Sequence, residues 1–504
     1  MGRAKILATL GPASNDQETI EKLIEAGLNA VRINMSHGNV DDHTESIRKA
    51  RAAAAKLGKP LAILVDLSGP KIRTGTLENH EPVFLEDGAV FVITSRPIEG
   101  NVREVSTNYD ELPKIVQKGA RILLDDGAIA LEVIETNEEN VFCRVVHGGW
   151  LNERKGINLP NTALPIPSLT KKDRVDLEWA MGQNVDYIAL SFVRKAEDCR
   201  EVKALIRQLN RRKLGRALLV AKIEKAEAIE NLDEIIKATD GLMVARGDLG
   251  VETSVELVPV YQKRIIQEAV ANDKFVITAT QMLQTMIDNP FPTRAEASDV
   301  ANAVWDGTDA VMLSAETASG KYPLEAVKTM ARIIDSAETV KPKYLRKPIK
   351  FSQKPSVRTS QALCKAAAYA AEEMKVEKVA VFTESGLMAR RLSSFRSGLQ
   401  TFAITTSEDA RNQLALIWGV IPFYHEDLNT SEETLDFGNK TMFDLLNAGS
   451  TTTEEMLKTG EKTLLDAKVI EPGETIIMMA GRLSGLGLSS SVIVRTIGED
   501  TPHR

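Results

Sequence analysis

The sequence predicts an α/β protein: a (β/α)8 TIM barrel carrying an inserted small β-barrel domain and followed by a C-terminal α/β domain. Three features of its 504 residues carry this expectation. Short β-branched, apolar runs alternate with stretches of helical period and add up to eight strands by residue 340. A turn-rich, strand-only segment interrupts them over 70–169, and a new α/β alternation starts beyond a charged, proline-containing stretch. The expected domains are 1–69 with 170–340 for the barrel, 70–169 for the insert and 356–504 for the C-terminal unit.

The first strand, "AKILATL", precedes the helical "DQETIEKLIEAG"; the second, "AVRIN", precedes "DDHTESIRKARAAAAKLG"; the third is "LAILVDL". After residue 170 come "DYIALSF", "LLVAKIE", "GLMVAR", "KFVITAT" and "AVMLSAE", alternating with helical stretches such as "EDCREVKALIRQLNRR" and "VELVPVYQKRIIQEAVAND". These strands are almost continuously apolar because a parallel barrel covers both of their faces. The insert reads as strands in "AVFVITS", "RILLDDGAIALEVIE" and "ENVFCRVVHGGWL". It leaves from the C-terminal end of the third strand, which places it over the mouth where barrel chemistry sits. Past "VKPKYLRKPIKFSQKPS", helix "SQALCKAAAYAAEEM", strand "KVAVFT", helix "MARRLSSF", strand "QTFAIT" and helix "DARNQLALIW" make the third unit.

Composition narrows the function classes. Apolar residues at 43% and charged residues at 26% describe a soluble globular chain, and no window holds the roughly 18 consecutive apolar residues of a membrane span. The N-terminus enters "AKILATLG" without a signal-peptide pattern, so a cytoplasmic location is expected. Cys143, Cys199 and Cys364 are odd in number and lack CxxC spacing, as suits reduced, buried thiols. A net charge of −7 offers no basic field for nucleic acid, so an anionic ligand must be gripped by local cations.

In a barrel of this kind the polar residues at strand ends are the candidates for chemistry. The second strand ends in "RINMSHG", which puts Arg32, Asn34 and Ser36 at alternate positions; the third ends at Asp66. The fifth ends in Lys222 and Glu224, the sixth in Asp248, the seventh in Thr280, and the eighth in Ser314 with Glu316. Glu224 and Asp248 about 4 Å apart would repel by roughly 4 kcal/mol at an effective dielectric of 20, which argues for a cation between them. Oxygen ligands without His or Cys fit Mg2+ or Mn2+. Gly247 lets a ligand approach the backbone beside Asp248. With Arg32, Lys222 and, at the start of the insert, Lys71 and Arg73, these residues suit an anionic, phosphorylated substrate. Taken singly, the Lys222–Glu224 pair reads as a structural ion pair and His37 as a capping or surface residue; their convergence on one mouth is what points to a site. The tripeptide Arg246-Gly247-Asp248 also invites an adhesive-loop reading, which the absence of any secretion signal disfavours.

The motifs "ILATLGPAS", "VRINMSHG", "SGPKIRTG", "KGINLP", "AKIEKAEAIENLDEI", "DGLMVARGDLGVE", "ATQMLQTMI", "PTRAEASDVANAV" and "GTDAVMLSAETASGKYP" resemble the pyruvate kinase family, over essentially the whole chain. The resemblance implies transfer of phosphate from phosphoenolpyruvate to ADP, giving pyruvate and ATP, the final step of glycolysis, in a cytoplasmic homotetramer. It implies that Arg32 contacts the phosphate, that Lys222 stabilises the transferring phosphoryl group, and that Glu224 and Asp248 hold Mg2+ (or Mn2+). Gly247 and Thr280 would meet the substrate, with Thr280, Ser314 and Glu316 on a path to the protonated carbon. Asn34, His37, Arg73 and Lys155 would serve the nucleotide phosphates, the insert acting as a lid.

Two departures from the family pattern are expected to matter. Lys71 and Leu67 resemble the K+-independent version, whose lysine ammonium stands in for the ion; K+ is then not required. Asn34, Ser36, Asp66 and the Leu67 carbonyl still form the monovalent-cation pocket by position. In "FTESGLMARRLSS", Thr383, Ser385 and Gly386 resemble an effector-phosphate loop, but Leu387 and Met388 replace polar residues. A sugar monophosphate or AMP is then favoured over fructose 1,6-bisphosphate, with Arg482 as a partner. The rival enzyme readings are a metal-dependent pyruvate aldolase and a phosphoenolpyruvate mutase, neither of which needs the nucleotide-facing Arg73 and Lys155; outside enzymes, a noncatalytic metabolite sensor is the alternative.

Overall fold

In a computed structural model, residues 2–160, 162, 165–212, 216–340, 347–425, 456–480 and 491–499 are described. Eight parallel strands close into a barrel: Lys5–Thr9, Ala30–Asn34, Ala62–Asp66, Tyr187–Leu190, Leu218–Ile223, Gly241–Ala245, Phe275–Ala279 and Ala310–Leu313. Each pairs with its neighbours in chain order, and the eighth closes on the first. The apolar runs split by alternation into two layers. Ile6, Ala8, Val31, Ile33, Ile63 and Val65 pack outward with Ile20, Leu23 and Ile47 of the helices. Leu7, Ala30, Ala62, Leu64, Tyr187, Val220, Met243, Phe275 and Met312 fill the interior. Large and small residues share that interior, and Tyr187 meets Phe275 edge-on at 5.2 Å between ring centroids.

The helices between strands start and stop on local signals. Asp16 caps Gln17–Glu25 by accepting from the Thr19 N–H, and Asn39 caps Val40–Leu57 in the same way from Asp42. Capping boxes at Thr170 with Asp173 and at Thr293 with Glu296 open Lys171–Gly182 and Arg294–Asp306. Gly58, at φ +62°, ends the second helix with the left-handed turn that residue tolerates.

Between the third strand and Lys171–Gly182 the insert forms a six-stranded sheet in the order Ile157–Asn158, Arg121–Leu124, Ile129–Thr136, Asn140–His147, Val90–Thr94 and Glu104–Ser106. A two-stranded ladder of Val83–Leu85 with Gly149–Leu151 joins it, and single bridges such as Arg73 to Gly156 tie its margins. Phe91, Ile93, Ile122, Leu131 and Cys143 belong to a core of its own.

The C-terminal residues form a five-stranded sheet in the order Val420–Tyr424, Gln400–Thr405, Lys378–Phe382, Thr475–Ala480 and Ser491–Thr496, antiparallel only at the last. This unit covers the N-terminal end of the barrel. Tyr187 donates its hydroxyl to the Gln413 carbonyl, Lys5 Nζ donates to the Val420 carbonyl at 2.8 Å, and Arg396 pairs with Asp309 at 2.8 Å. The guanidinium groups of Arg3 and Arg396 both lie against Trp418, at 5.5 and 4.9 Å from its ring centroid. The three cysteines are free and buried, and burial pushes each thiol up to about 12, as expected of inert residues. Among the described residues no helix is long and apolar enough to cross a membrane.

Candidate active site

The C-terminal ends of the second, third and fifth strands bring Arg32, Asp66, Lys222 and Glu224 into one bonded cluster. Arg32 grips Asp66 Oδ2 through Nε at 2.8 Å and Nη2 at 2.7 Å. Lys222 Nζ reaches Ser191 Oγ at 2.8 Å, Glu224 Oε1 at 2.9 Å and Asp66 Oδ1 at 3.2 Å. Glu224 Oε2 accepts from the Phe192 N–H at 2.7 Å. Burial works against charge on Lys222, but the Asp66 and Glu224 carboxylates overcome it and hold the ammonium above the usual lysine range. Asp66 is almost fully buried, yet Lys222 and Arg32 bring it below the usual carboxylate range. Lys222 therefore stays charged inside the cluster.

Glu224 behaves differently. Burial first, and then the neighbouring Asp248 charge, raise its carboxyl above the usual range although Lys222 touches it. Asp248 makes no hydrogen bond or ion pair to any described residue. Two neighbouring carboxylates, one raised and one without a partner, fit a divalent cation between them. Among the described residues no set of three or more His, Cys, Asp or Glu side chains is placed to hold a metal. Glu224 and Asp248 are hard oxygen donors of the kind that Mg2+ accepts, an ion that usually keeps several waters beside one or two carboxylates.

The sixth strand stops at Ala245, short of Asp248 where the sequence placed its end, and Arg246–Glu252 turns into a short helix whose first turn carries Asp248. The Gly247 N–H donates to Thr280 Oγ1 at 2.8 Å. A Cβ on Gly247 would meet nothing closer than that same hydroxyl, at 3.6 Å, so no packing within the chain demands glycine there. The open space beside Asp248 is the remaining reason for it. Thr280 follows the seventh strand at φ +66° and Gln281 at φ +54°. A β-branched residue in the left-handed region is a genuine outlier that costs about 1–3 kcal/mol, and such strain collects at functional sites.

Gly247, Asp248, Thr280 and Ser314 line a cavity of about 840 Å3, faced from the insert by Lys71, Arg121 and Asp126. The Ser314 hydroxyl is buried without a partner among the described residues, as is that of Ser68. Glu316 is fully buried and accepts the backbone N–H groups of Ser314 at 2.7 Å and Leu283 at 3.1 Å, so it braces the eighth strand's end from behind. Asn34 Oδ1 accepts the Ser36 N–H at 3.2 Å, and the Leu67 carbonyl accepts the Ser191 hydroxyl at 2.7 Å. His37 stands at the rim, held below the usual imidazole range by partial burial and then by Arg73, Lys71 and Arg32. At the base of the insert, Arg73 and Lys155 lie on adjoining extended segments, where the Thr74 N–H donates to the Lys155 carbonyl at 2.8 Å. Lys155 Nζ is held by Asp125 at 2.9 Å.

Further residues join the site that the sequence did not single out for it. Ser191 directly follows the fourth strand, Tyr187–Leu190, and as a strand-end hydroxyl it carries the same signal as Thr280; Thr9, at the end of the first strand, likewise accepts from Arg32 Nη1 at 3.1 Å. Arg121 and Asp126 sit in the insert, where no barrel rule marks a site. Arg246, given no role by the sequence, binds the Asp299 carboxylate at 2.7 Å and a row of backbone carbonyls. The effector candidates lie apart from this site: Thr383 is buried, Ser385 is exposed, and Gly386 at φ +71° starts helix Leu387–Ser394. Met388 is buried against Cys364 and Ser360, and Arg482 lies outside the described residues.

Comparison with known proteins identifies the arrangement. A family model described as pyruvate kinase, barrel domain, matches residues 1–327, and one described as pyruvate kinase, alpha/beta domain, matches 361–494. Pyruvate kinase of Bacillus licheniformis is 38% identical over 502 residues, covering 99% of this chain and 81% of the relative. Pyruvate kinase of Sporosarcina psychrophila is 43% identical over 444 residues, covering 86% and 74%. The crystal structure of a pyruvate kinase from Cryptosporidium parvum superposes with a TM-score of 0.81 at 32% identity, covering 98% of this chain and 96% of that one. By sequence over nearly its whole length and by fold, the chain belongs to the pyruvate kinase family.

Proposed function

We propose that the barrel mouth transfers the phosphoryl group of phosphoenolpyruvate to ADP, giving pyruvate and ATP. The observation that carries this reading is the pair of largely buried cations, Lys222 and Arg32, each bonded to Asp66 and set beside the carboxylates Glu224 and Asp248 that would hold the divalent ion. Phosphoryl transfer asks a protein mainly for position and for charge on the equatorial oxygens. Lys222 meets the transferring group, and Arg32 contacts the substrate phosphate. Gly247 leaves room for the substrate carboxylate beside Asp248. Thr280, with the unpartnered Ser314 hydroxyl nearby and Glu316 behind it, leads a proton to the carbon that becomes the methyl group. Mg2+, held by Glu224 and Asp248, supplies charge neutralisation when bound.

Asn34, His37, Arg73 and Lys155 take the nucleotide phosphates. The cations that lower His37 support this, because they gather positive charge at one rim. The same residues disfavour the aldolase and mutase readings, which need no nucleotide. In this reading the units are 1–69 with 170–340 as barrel, 70–169 as lid and 356–504 as regulatory domain, in a cytoplasmic homotetramer. Sedimentation equilibrium giving the mass of one chain would reject the assembly. Pyruvate formation that depends on ADP tests the activity itself.

Lys71 replaces a required monovalent cation. It lines the same cavity as Asp248, and its ammonium makes no hydrogen bond or ion pair to a described residue. Full turnover is therefore expected in K+-free, Na+-free buffer containing Mg2+, and Lys71→Glu should make the enzyme respond to KCl by roughly tenfold. Tenfold activation of the unmodified enzyme by KCl would contradict this. Thr383, Ser385 and Gly386, with Arg482, form the effector site, and with Leu387 and Met388 in place of polar residues a sugar monophosphate or AMP is preferred to fructose 1,6-bisphosphate. Titration of activity with each compound tests it, and indifference to all three would refute it.

A further inference from the structure

We infer that Arg246 is a positioning residue for the reaction, holding Thr280 in the left-handed conformation that aims its hydroxyl. Arg246 has only 9% of its surface exposed and spans the gap between the sixth and seventh strands. Its Nη2 donates to the Thr280 carbonyl at 2.7 Å and to that of Gln281 at 3.3 Å; its Nε lies 3.2 Å from the Ala279 carbonyl. Three consecutive carbonyls are thus gathered on one planar fork, and they belong to the turn in which Thr280 and Gln281 both take positive φ. Asp299 at 2.7 Å and Gln262 at 3.3 Å fix the other nitrogen, so the fork itself cannot swing.

The next residue completes the arrangement. The Gly247 N–H donates to Thr280 Oγ1, and that hydroxyl donates to the Ala279 carbonyl at 2.7 Å. Arg246 holds the backbone of Thr280, and Gly247 orients its side chain. Arg246 stands on the wall of the Asp248 cavity, but its guanidinium nitrogens are taken up by the carbonyls of Ala279, Thr280 and Gln281 and by the side chains of Gln262, Asp299 and Met282, so its effect passes through Thr280. A threonine left without this clamp would relax from its strained turn and move its hydroxyl, and a displacement on the order of 1 Å is enough to cost about 10²-fold.

This rests on the reading of Thr280 as part of the proton path, and the two can fail separately. Arg246→Met, Arg246→Lys, Thr280→Ala and the double variant Arg246→Met with Thr280→Ala are assayed for kcat, for KM of phosphoenolpyruvate and of ADP, and for exchange of pyruvate methyl protons with solvent. Arg246→Met is expected to lower kcat and proton exchange by roughly thirtyfold or more, with both KM values within about threefold. Arg246→Lys, which folds with the charge retained but cannot span three carbonyls, should lose most of the same factor. In the Thr280→Ala background the Arg246 substitution should cost less than about threefold further, because the two act as one unit. Equal losses in both backgrounds, or wild-type kcat in Arg246→Lys, would overturn the inference. Wild-type proton exchange in Thr280→Ala would instead refute the role of Thr280 and the inference with it.

Discussion

Replacing Lys222 by methionine is expected to lower kcat by about 10³-fold or more, because it removes the cation aimed at the transferring phosphoryl group. The cluster predicts why binding should survive. Asp66 keeps Arg32 at 2.7 Å, and the Phe192 N–H stays on Glu224, so the mouth retains its shape. Glu224 loses a neutralising neighbour, which leaves a divalent ion as its best counter-charge. The KM for phosphoenolpyruvate should then stay within a few fold, as expected when an interaction belongs to the transition state. A loss of kcat under about tenfold would remove Lys222 from this role.

Asp248→Asn should weaken the divalent ion by roughly tenfold or more and lower kcat by about 10²-fold. The substitution keeps the shape of the first turn of Arg246–Glu252 and removes one charge from a carboxylate without a protein partner. Glu224 should then ionise more easily, since the Asp248 charge is one of the causes that raise it. Binding of Mn2+ followed by electron paramagnetic resonance separates the two effects. Unchanged Mn2+ affinity would show that Asp248 is not a ligand.

The two predictions depend on residues of very different legibility. Lys222, Glu224, Asp66 and Arg32 could be read from the sequence because parallel strands impose a period of two and end at one mouth, so sequence position becomes spatial position. The insert has no such rule. Its strands could be recognised, but that Arg121 and Asp126 face Asp248 depends on how one sheet leans over a cavity of about 840 Å3. Thr280 was legible as a strand-end hydroxyl and not as a left-handed residue, since the conformation at φ +66° opposes the preference of threonine and is imposed by Arg246 and Gly247. Arg246 was illegible for the same reason: its partners are mostly backbone carbonyls, which carry no sequence signature. Glu316 looked like a site carboxylate, but both of its oxygens accept backbone N–H groups.

The central claim is that this barrel mouth joins phosphoenolpyruvate to ADP chemistry through its own cations and one divalent ion. The most direct measurement is pyruvate formation from phosphoenolpyruvate in Mg2+ buffer free of K+, with ATP measured in the same sample. The expected result is equal amounts of pyruvate and ATP, formed only when ADP is present and stopped by EDTA. Absence of pyruvate in the presence of Mg2+, ADP and phosphoenolpyruvate, or pyruvate formed without ADP, would contradict it.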